Sequence, residues 1–389
     1  MTGIVIVGAA AAGLAAAEEL RRSGFDGAVT IVGGERHAPY DRPPLSKQAL
    51  HGAWDAERLR LRGDGDLAKL NARFIMGRQA VAADSTRRIV TLDEGEALPF
   101  DGLVIASGVS PICPGGADLH TLRTSEDAVL LRQKLLPGTR VIIVGAGFLG
   151  TELAGASAKL GCHVTLLDRC DRLLDRLGSA VSRHVASLHA AHGVDVRSQV
   201  RIAHLDATGA VLADGTELRA DVVIACTGSR PATSWLMHSG LTIDDGVVCA
   251  ADCSAAQGVV AAGDVARWFN PAYGVSMRVE HRTNATQQGA HAARTLLAQL
   301  SGGHGDPYFS VPYAWSHQFD SRVQIHGAVL EGDESELAQG SESEGSFIVA
   351  HRTKGRLVAV VGVNAAPRDL RSWQQQVYAE AARLTALVG

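Results

Sequence analysis

Short, mostly apolar runs recur along the chain at residues 4–7 (IVIV), 29–32 (VTIV), 103–106 (LVIA), 141–144 (VIIV), 164–167 (VTLL), 222–225 (VVIA) and 259–262 (VVAA). Runs this short that do not alternate with polar residues predict strands covered on both faces, as in a parallel sheet. Other patterns interrupt the series. An alanine-rich helix follows the first strand, helices are expected over about 151–160 and 284–300, and another runs from about Pro367 to the end. Several short strands are expected over 72–108, and others near 310–330, 346–351 and 356–363. Arg58, Arg60 and Arg62 alternate with Leu59 and Leu61, a period of two that predicts an edge strand with one basic face. Residues 331–345 carry six acids and no base, which reads as a solvated loop between strands.

Glycine punctuates the strands in a particular order. The run at 141–144 enters Gly145-Ala146-Gly147-Phe148-Leu149-Gly150, and the run at 164–167 delivers Asp168, 23 residues after Gly145. This is the dinucleotide fingerprint: Gly145 makes the tight turn, Gly147 admits a pyrophosphate, Gly150 lets helix and strand approach, and Asp168 meets the adenosine ribose. A second copy begins at Ile4 and aligns with a shift of 137 residues at Gly8/Gly145, Gly13/Gly150 and Gly24/Gly161. Its middle position is Ala10 in place of glycine, a tolerated methyl, and its acid arrives late as Glu35. Two such units predict two nucleotides with electrons passing between them, flavin and nicotinamide being the natural pair.

The strand ends at Ser107-Gly108 and Thr227-Gly228 mark where the chain leaves one unit for the other. The expected fold is therefore α/β, with two nested Rossmann-type domains in a glutathione reductase-like plan and a small C-terminal α+β domain. Residues 1–108 and 232–305 would bind FAD, 109–231 would bind NAD(H), and 306–389 would form an interface domain.

Composition narrows the class. With 46% apolar and 20% charged residues and a net charge of −4, the chain reads as globular and poorly suited to nucleic acid. No apolar run is long enough for a membrane span, and residues 1–20 carry the fingerprint with no basic leader, so they read as structure. The six cysteines show neither a C-x-x-C pair nor metal-ligand spacing, which fits a reducing cytoplasm and no metal site. Cys249 and Cys253 are the closest pair, and buried free thiols are their ordinary state.

Candidate chemistry lies in three further stretches. Residues 38–47 (APYDRPPLSK) form a proline-stiffened loop that can fix Arg42 and Lys47 near a phosphate or flavin, although a solvated loop has the same composition. Asp264 ends a buried strand at Ala262-Gly263-Asp264, where it can meet a ribityl hydroxyl or serve as a helix cap. Glu152 sits early in a helix, a place the helix dipole alone favours for an acid.

These stretches, with residues 122–127 (LRTSED), 278–281 (RVEH) and 312–316 (PYAWS), resemble the FAD-dependent ferredoxin reductases of the putidaredoxin reductase and rubredoxin reductase type over nearly the whole chain. The resemblance implies that Glu35, Arg42, Lys47, Arg123 and Asp264 hold FAD and that Lys47 and Glu152 pair beside the flavin where nicotinamide enters. It implies hydride transfer from NADH to FAD, then single electrons to an iron-sulfur ferredoxin that feeds an oxygenase, by a monomer or homodimer. Three positions depart from the family: Ala10, Arg282 in place of tryptophan, and His317 in place of aspartate. A cation at Arg282 would favour anionic reduced flavin if it faces the ring, or it turns to solvent.

Disulfide chemistry needs a cysteine near the flavin, and residues 36–50 have none. Asp168 favours NADH, while the adjacent Arg169 leaves NADPH open. Two other readings remain: an NADH oxidase or dehydrogenase using oxygen, a quinone or another small acceptor, and an NADH-sensing regulatory flavoprotein. For docking an acidic ferredoxin, arginines 58, 60, 62, 282 and 322 are the candidates.

Overall fold

The computed structural model describes residues 3–114 and 119–388. Its first sheet has six strands in the order Ser254–Ala256, Val259–Ala261, Gly102–Ile105, Ile4–Val7, Val29–Gly33 and Arg73–Met76. Ile4–Val7 pairs in parallel with neighbours on both sides, Ile4 standing opposite Val29 and Gly102. All four of its side chains are buried, which explains the unbroken apolar run. The helix Ala11–Arg22 packs on the long helix Arg282–Leu300. Their approach is close: a Cβ on Gly289 would stand 2.9 Å from the Ala12 carbonyl carbon. Small residues on both helices permit that contact.

The second sheet repeats the plan with Asp195–Arg197, His163–Leu167, Arg140–Val144 and Val222–Ala225, all parallel. In both units a three-stranded antiparallel meander, at residues 80–99 and 202–219, precedes the chain's return to the parallel sheet at Gly102–Ile105 and Val222–Ala225. Each glycine turn leaves the carboxyl end of a central strand, the switch point where α/β sheets bind ligands. The two chain crossings run side by side, with Val109–Pro111 antiparallel to Ser229–Pro231.

The third unit is a five-stranded antiparallel sheet in the order Tyr313–Gln318, Ser321–Gly327, Arg356–Val363, Ser346–Thr353 and Glu334–Ser341, followed by the helix Pro367–Val388. Here the acidic stretch departs from expectation. Most of it is the edge strand Glu334–Ser341, held by the backbone ladder to Ser346–Thr353. Its side chains are mainly exposed, so no apolar alternation advertises it, and acids on an edge discourage pairing with another chain.

Arginines 58, 60 and 62 also depart from expectation. Ala56–Leu59 is a short helix whose N-cap, Asp55, accepts from the Arg58 amide at 2.9 Å. Arg60 pairs with Glu57 and Asp64, Arg62 pairs with Glu18, and the Arg58 guanidinium lies 4.8 Å from the centre of the Trp54 ring. Local acids therefore engage two of the three cations, and no common basic strand face forms.

Candidate active site

A cleft of about 330 Å³ opens between the first glycine turn, the 40–47 loop, the Phe148–Lys159 helix and the first strand of the third domain. Ala10, Arg42, Lys47, Arg123, Glu152, Asp264 and Arg282 line it. Glu35, Gly145, Gly147, Gly150, Asp168 and Gly228 lie off its wall, as do Gly8 and Gly13 beneath the first turn.

One wall is a chain of charge. Two prolines open the tight turn Pro43–Ser46, with Arg42 as its N-cap and Lys47 as its C-cap, so local stereochemistry sets both cations. Arg42 donates to Glu35 at 2.7 Å and to the Arg123 carbonyl at 2.5 Å. Glu35 also accepts from the Tyr40 hydroxyl. Arg123 precedes a capping box in which Asp127 accepts from its amide at 2.8 Å, and its guanidinium reaches Asp264 at 3.2 Å. Burial pushes the Asp264 carboxyl up, and Arg123 beside it pulls it back. Glu35 thus stands behind Arg42, outside the cleft.

At the other end, Lys47 Nζ lies 2.5 Å from Glu152 Oε2. The same oxygen accepts from Ser46 Oγ at 2.6 Å, and Oε1 accepts from Ser316 Oγ at 2.7 Å. Only 8% of the Glu152 side chain is exposed. Sequence reasoning assigned no role to Ser46 or Ser316, although both lie within the family-like motifs. Arg282 faces the cleft and pairs with Asp41 at 2.5 Å, so its charge is partly compensated. His317 is exposed, and partial burial with the nearby cations Lys47 and Arg322 holds its imidazole below the usual range.

The walls suit a dinucleotide. Among the described residues the Nδ1 atom of His281, a residue of the cleft wall, is buried without a protein partner, and burial lowers this imidazole to about 4. A Cβ on Gly147 would meet nothing within 4 Å, so the space above the second turn is open as well. Asp168 turns toward its own loop, accepting from the Ala146 amide and, at 2.7 Å, from that of Cys170. Among the described residues no cysteine lines the cleft; Cys249 and Cys253 are buried, and burial pushes the Cys249 thiol up to about 12.

Two nested nucleotide folds, sharing a charged, thiol-free cleft with a third domain, define a two-nucleotide oxidoreductase of the flavin and nicotinamide class. The chain belongs to the pyridine nucleotide-disulphide oxidoreductase family, whose model matches residues 2–289, and a reductase C-terminal model matches residues 313–386. It is 33% identical to putidaredoxin reductase of Pseudomonas putida over 378 residues, covering 93% of this chain and 88% of that protein. It is 35% identical to the ferredoxin–NAD(+) reductase component of the anthranilate 1,2-dioxygenase system of Burkholderia cepacia, covering 97% and 94%. Among solved structures, the covalent putidaredoxin reductase–putidaredoxin complex superposes with a TM-score of 0.89 at 32% identity, covering 96% of this chain and 92% of that one.

Proposed function

We propose that the chain is an NADH:ferredoxin reductase supplying an oxygenase, either a haem-thiolate monooxygenase or a Rieske enzyme. The observation that carries this reading is a cleft walled by all three domains whose described lining contains no thiol, so that electrons entering it leave to an external acceptor. FAD, when bound, accepts a hydride from NADH and releases its electrons one at a time. Ala10, Arg42, Arg123 and Asp264 hold its phosphates and polyol, and Lys47 and Glu152 flank the place where nicotinamide meets it. Arg42 and Arg123 supply fixed guanidinium donors, and Asp264 supplies an acceptor oriented by Arg123. Lys47 brings a cation to the reacting end without leaving Glu152 uncompensated.

The paired crossings at Val109–Pro111 and Ser229–Pro231 support the domain division 1–108 with 232–305, 109–231 and 306–389 at its two inner boundaries. No helix among the described residues is long and apolar enough to cross a membrane. Buried thiols without disulfide partners support a reducing cytoplasm as the compartment.

Anaerobic stopped-flow mixing tests the function. NADH should bleach the flavin rapidly, and an added ferredoxin should restore the colour far faster than oxygen does. Restoration by oxygen or a quinone alone would favour the oxidase reading, and a long-lived bleached state that no ferredoxin reoxidises would favour the regulatory one.

Coenzyme preference rests on Asp168. Asparagine can accept only through one oxygen, yet both carboxylate oxygens of Asp168 accept backbone amides. Asp168→Asn should therefore weaken NADH binding on the order of tenfold as well as narrow the NADH over NADPH preference. Titration with both coenzymes checks this; an unchanged NADH dissociation constant would remove Asp168 from the site.

A further inference from the structure

We propose that Ser316 and Gln318, from the third domain, are positioning residues for hydride transfer, fixing the Glu152 carboxylate so that Lys47 stays in place. The inference rests on the reading of Lys47 and Glu152 as the site where nicotinamide meets flavin. Both residues point to the same side of the strand Tyr313–Gln318, and both are fully buried.

The direction of every hydrogen bond in this cluster follows from its neighbours. Thr151 Oγ1 lies 2.9 Å from the Gly147 carbonyl and 3.1 Å from that of Phe148, so its one proton goes to the helix backbone. Toward Gln318 it can only accept, which places the Gln318 amino group, at 2.9 Å, on that side. The same amino group lies 2.8 Å from Ser316 Oγ. Ser316 therefore accepts from Gln318 and has its own proton left for Glu152 Oε1 at 2.7 Å. The arrangement leaves Gln318 Oε1 buried without a protein partner among the described residues, a cost that marks the orientation as imposed.

The two oxygens of Glu152 are not equally held. Oε2 accepts from Lys47 and Ser46, whereas among the described residues Ser316 is the one protein donor to Oε1. Without Ser316 the carboxylate is held through Oε2 alone, and its orientation, and with it that of Lys47, is less fixed. Through Thr151 the same pair is tied to Gly147, the residue of the second glycine turn that faces open space. The third domain thereby holds both the reacting carboxylate and the turn that receives the pyridine nucleotide.

Anaerobic stopped-flow comparison of the FAD-loaded parent, S316A, Q318E and K47M tests this. In Q318E an acceptor oxygen replaces the amino group facing Ser316 and competes with Glu152 for its proton at nearly constant shape, at the cost in stability of a buried carboxyl. Both S316A and Q318E should slow limiting flavin bleaching on the order of tenfold and weaken the long-wavelength absorbance band that follows NADH addition. The NADH dissociation constant should stay within about twofold and FAD content at the parental value, because the hydroxyl acts on orientation and not on binding, while the unfolding midpoint falls in both variants, each of which leaves a buried polar group without its partner. Parental bleaching and an unaltered band in S316A or Q318E would overturn the inference, as would slower bleaching that is accounted for by lost FAD or by a weakened NADH dissociation constant. If S316A does not fold, Q318E decides alone. K47M separates the two levels: slow K47M with parental S316A refutes only the positioning role, whereas parental K47M refutes the placement of the reaction itself.

Discussion

Gly150→Ala is expected to leave a yellow protein that NADH scarcely bleaches, whereas Gly147→Ala, three residues earlier in the same turn, is expected to remain an active enzyme. A Cβ at position 150 would stand 2.9 Å from the Gly145 carbonyl carbon, closer still to its oxygen, and 3.3 Å from the Cys226 Cβ. The nearest obstacles are backbone and a second buried strand end, neither of which can swing aside as a side chain can. The helix Phe148–Lys159 must lift off its sheet, which costs about 1–3 kcal/mol locally and displaces the amides that receive the pyrophosphate. FAD should be retained, because the first nucleotide unit has its own glycine turn, sheet and core. At Gly147 a Cβ meets nothing within 4 Å, and the backbone φ of −74° suits any residue. The chain already carries this substitution in its first unit, where Ala10 occupies the corresponding place. Gly147→Ala should therefore keep its unfolding midpoint and lose NADH affinity by no more than about tenfold, while Gly150→Ala loses it on the order of a hundredfold or more. NADH titrations of both variants, with FAD content measured alongside, check the contrast. Equal losses in the two would mean that packing of the second turn does not govern coenzyme binding.

Burial and backbone strain also decide which parts of the fold are legible in the sequence. Residues 4–7 and 141–144 read as strands because burial on both faces leaves no polar position to break the run. Gly8 and Gly145, with φ of 120° and 104°, stand out because a side chain is strained there. The edge strand Glu334–Ser341 does not, since exposed acids on an edge carry no hydrophobic period and its ladder is a property of its neighbour. Around Arg58, Arg60 and Arg62 the alternation is real, but the Asp55 cap starts a helical turn and nearby acids claim two of the charges. Lys47 and Glu152 stand out through the resemblance to the ferredoxin reductases. Ser46, Ser316 and Gln318, which hold them, are ordinary polar residues whose partners lie more than a hundred residues away, so no local spacing points to them.

Removing Lys47 and Glu152 singly and together should separate the pair's structural role from its chemical one. Lys47→Met leaves a carboxylate that is 8% exposed with only the Ser46 and Ser316 hydroxyls for compensation. Breaking a buried pair from one side costs about 3–5 kcal/mol, and the 20% exposure of Lys47 brings the expectation down to about 2–3 kcal/mol. Glu152→Gln should cost less, because Lys47 keeps the Pro43 carbonyl at 3.3 Å and some water. The double variant buries neither charge, and its unfolding midpoint should recover most of the Lys47→Met loss. Limiting flavin bleaching by NADH should not recover with it. A fixed cation and its oriented counter-ion at the reacting end act only in place, so all three variants should remain slow on the order of a hundredfold. Denaturant unfolding and stopped-flow bleaching, read as a double-mutant cycle, give a coupling energy for each property. Recovery of both in the double variant would make the pair a scaffold with no part in hydride transfer. Recovery of stability alone would place the chemistry in the charges themselves.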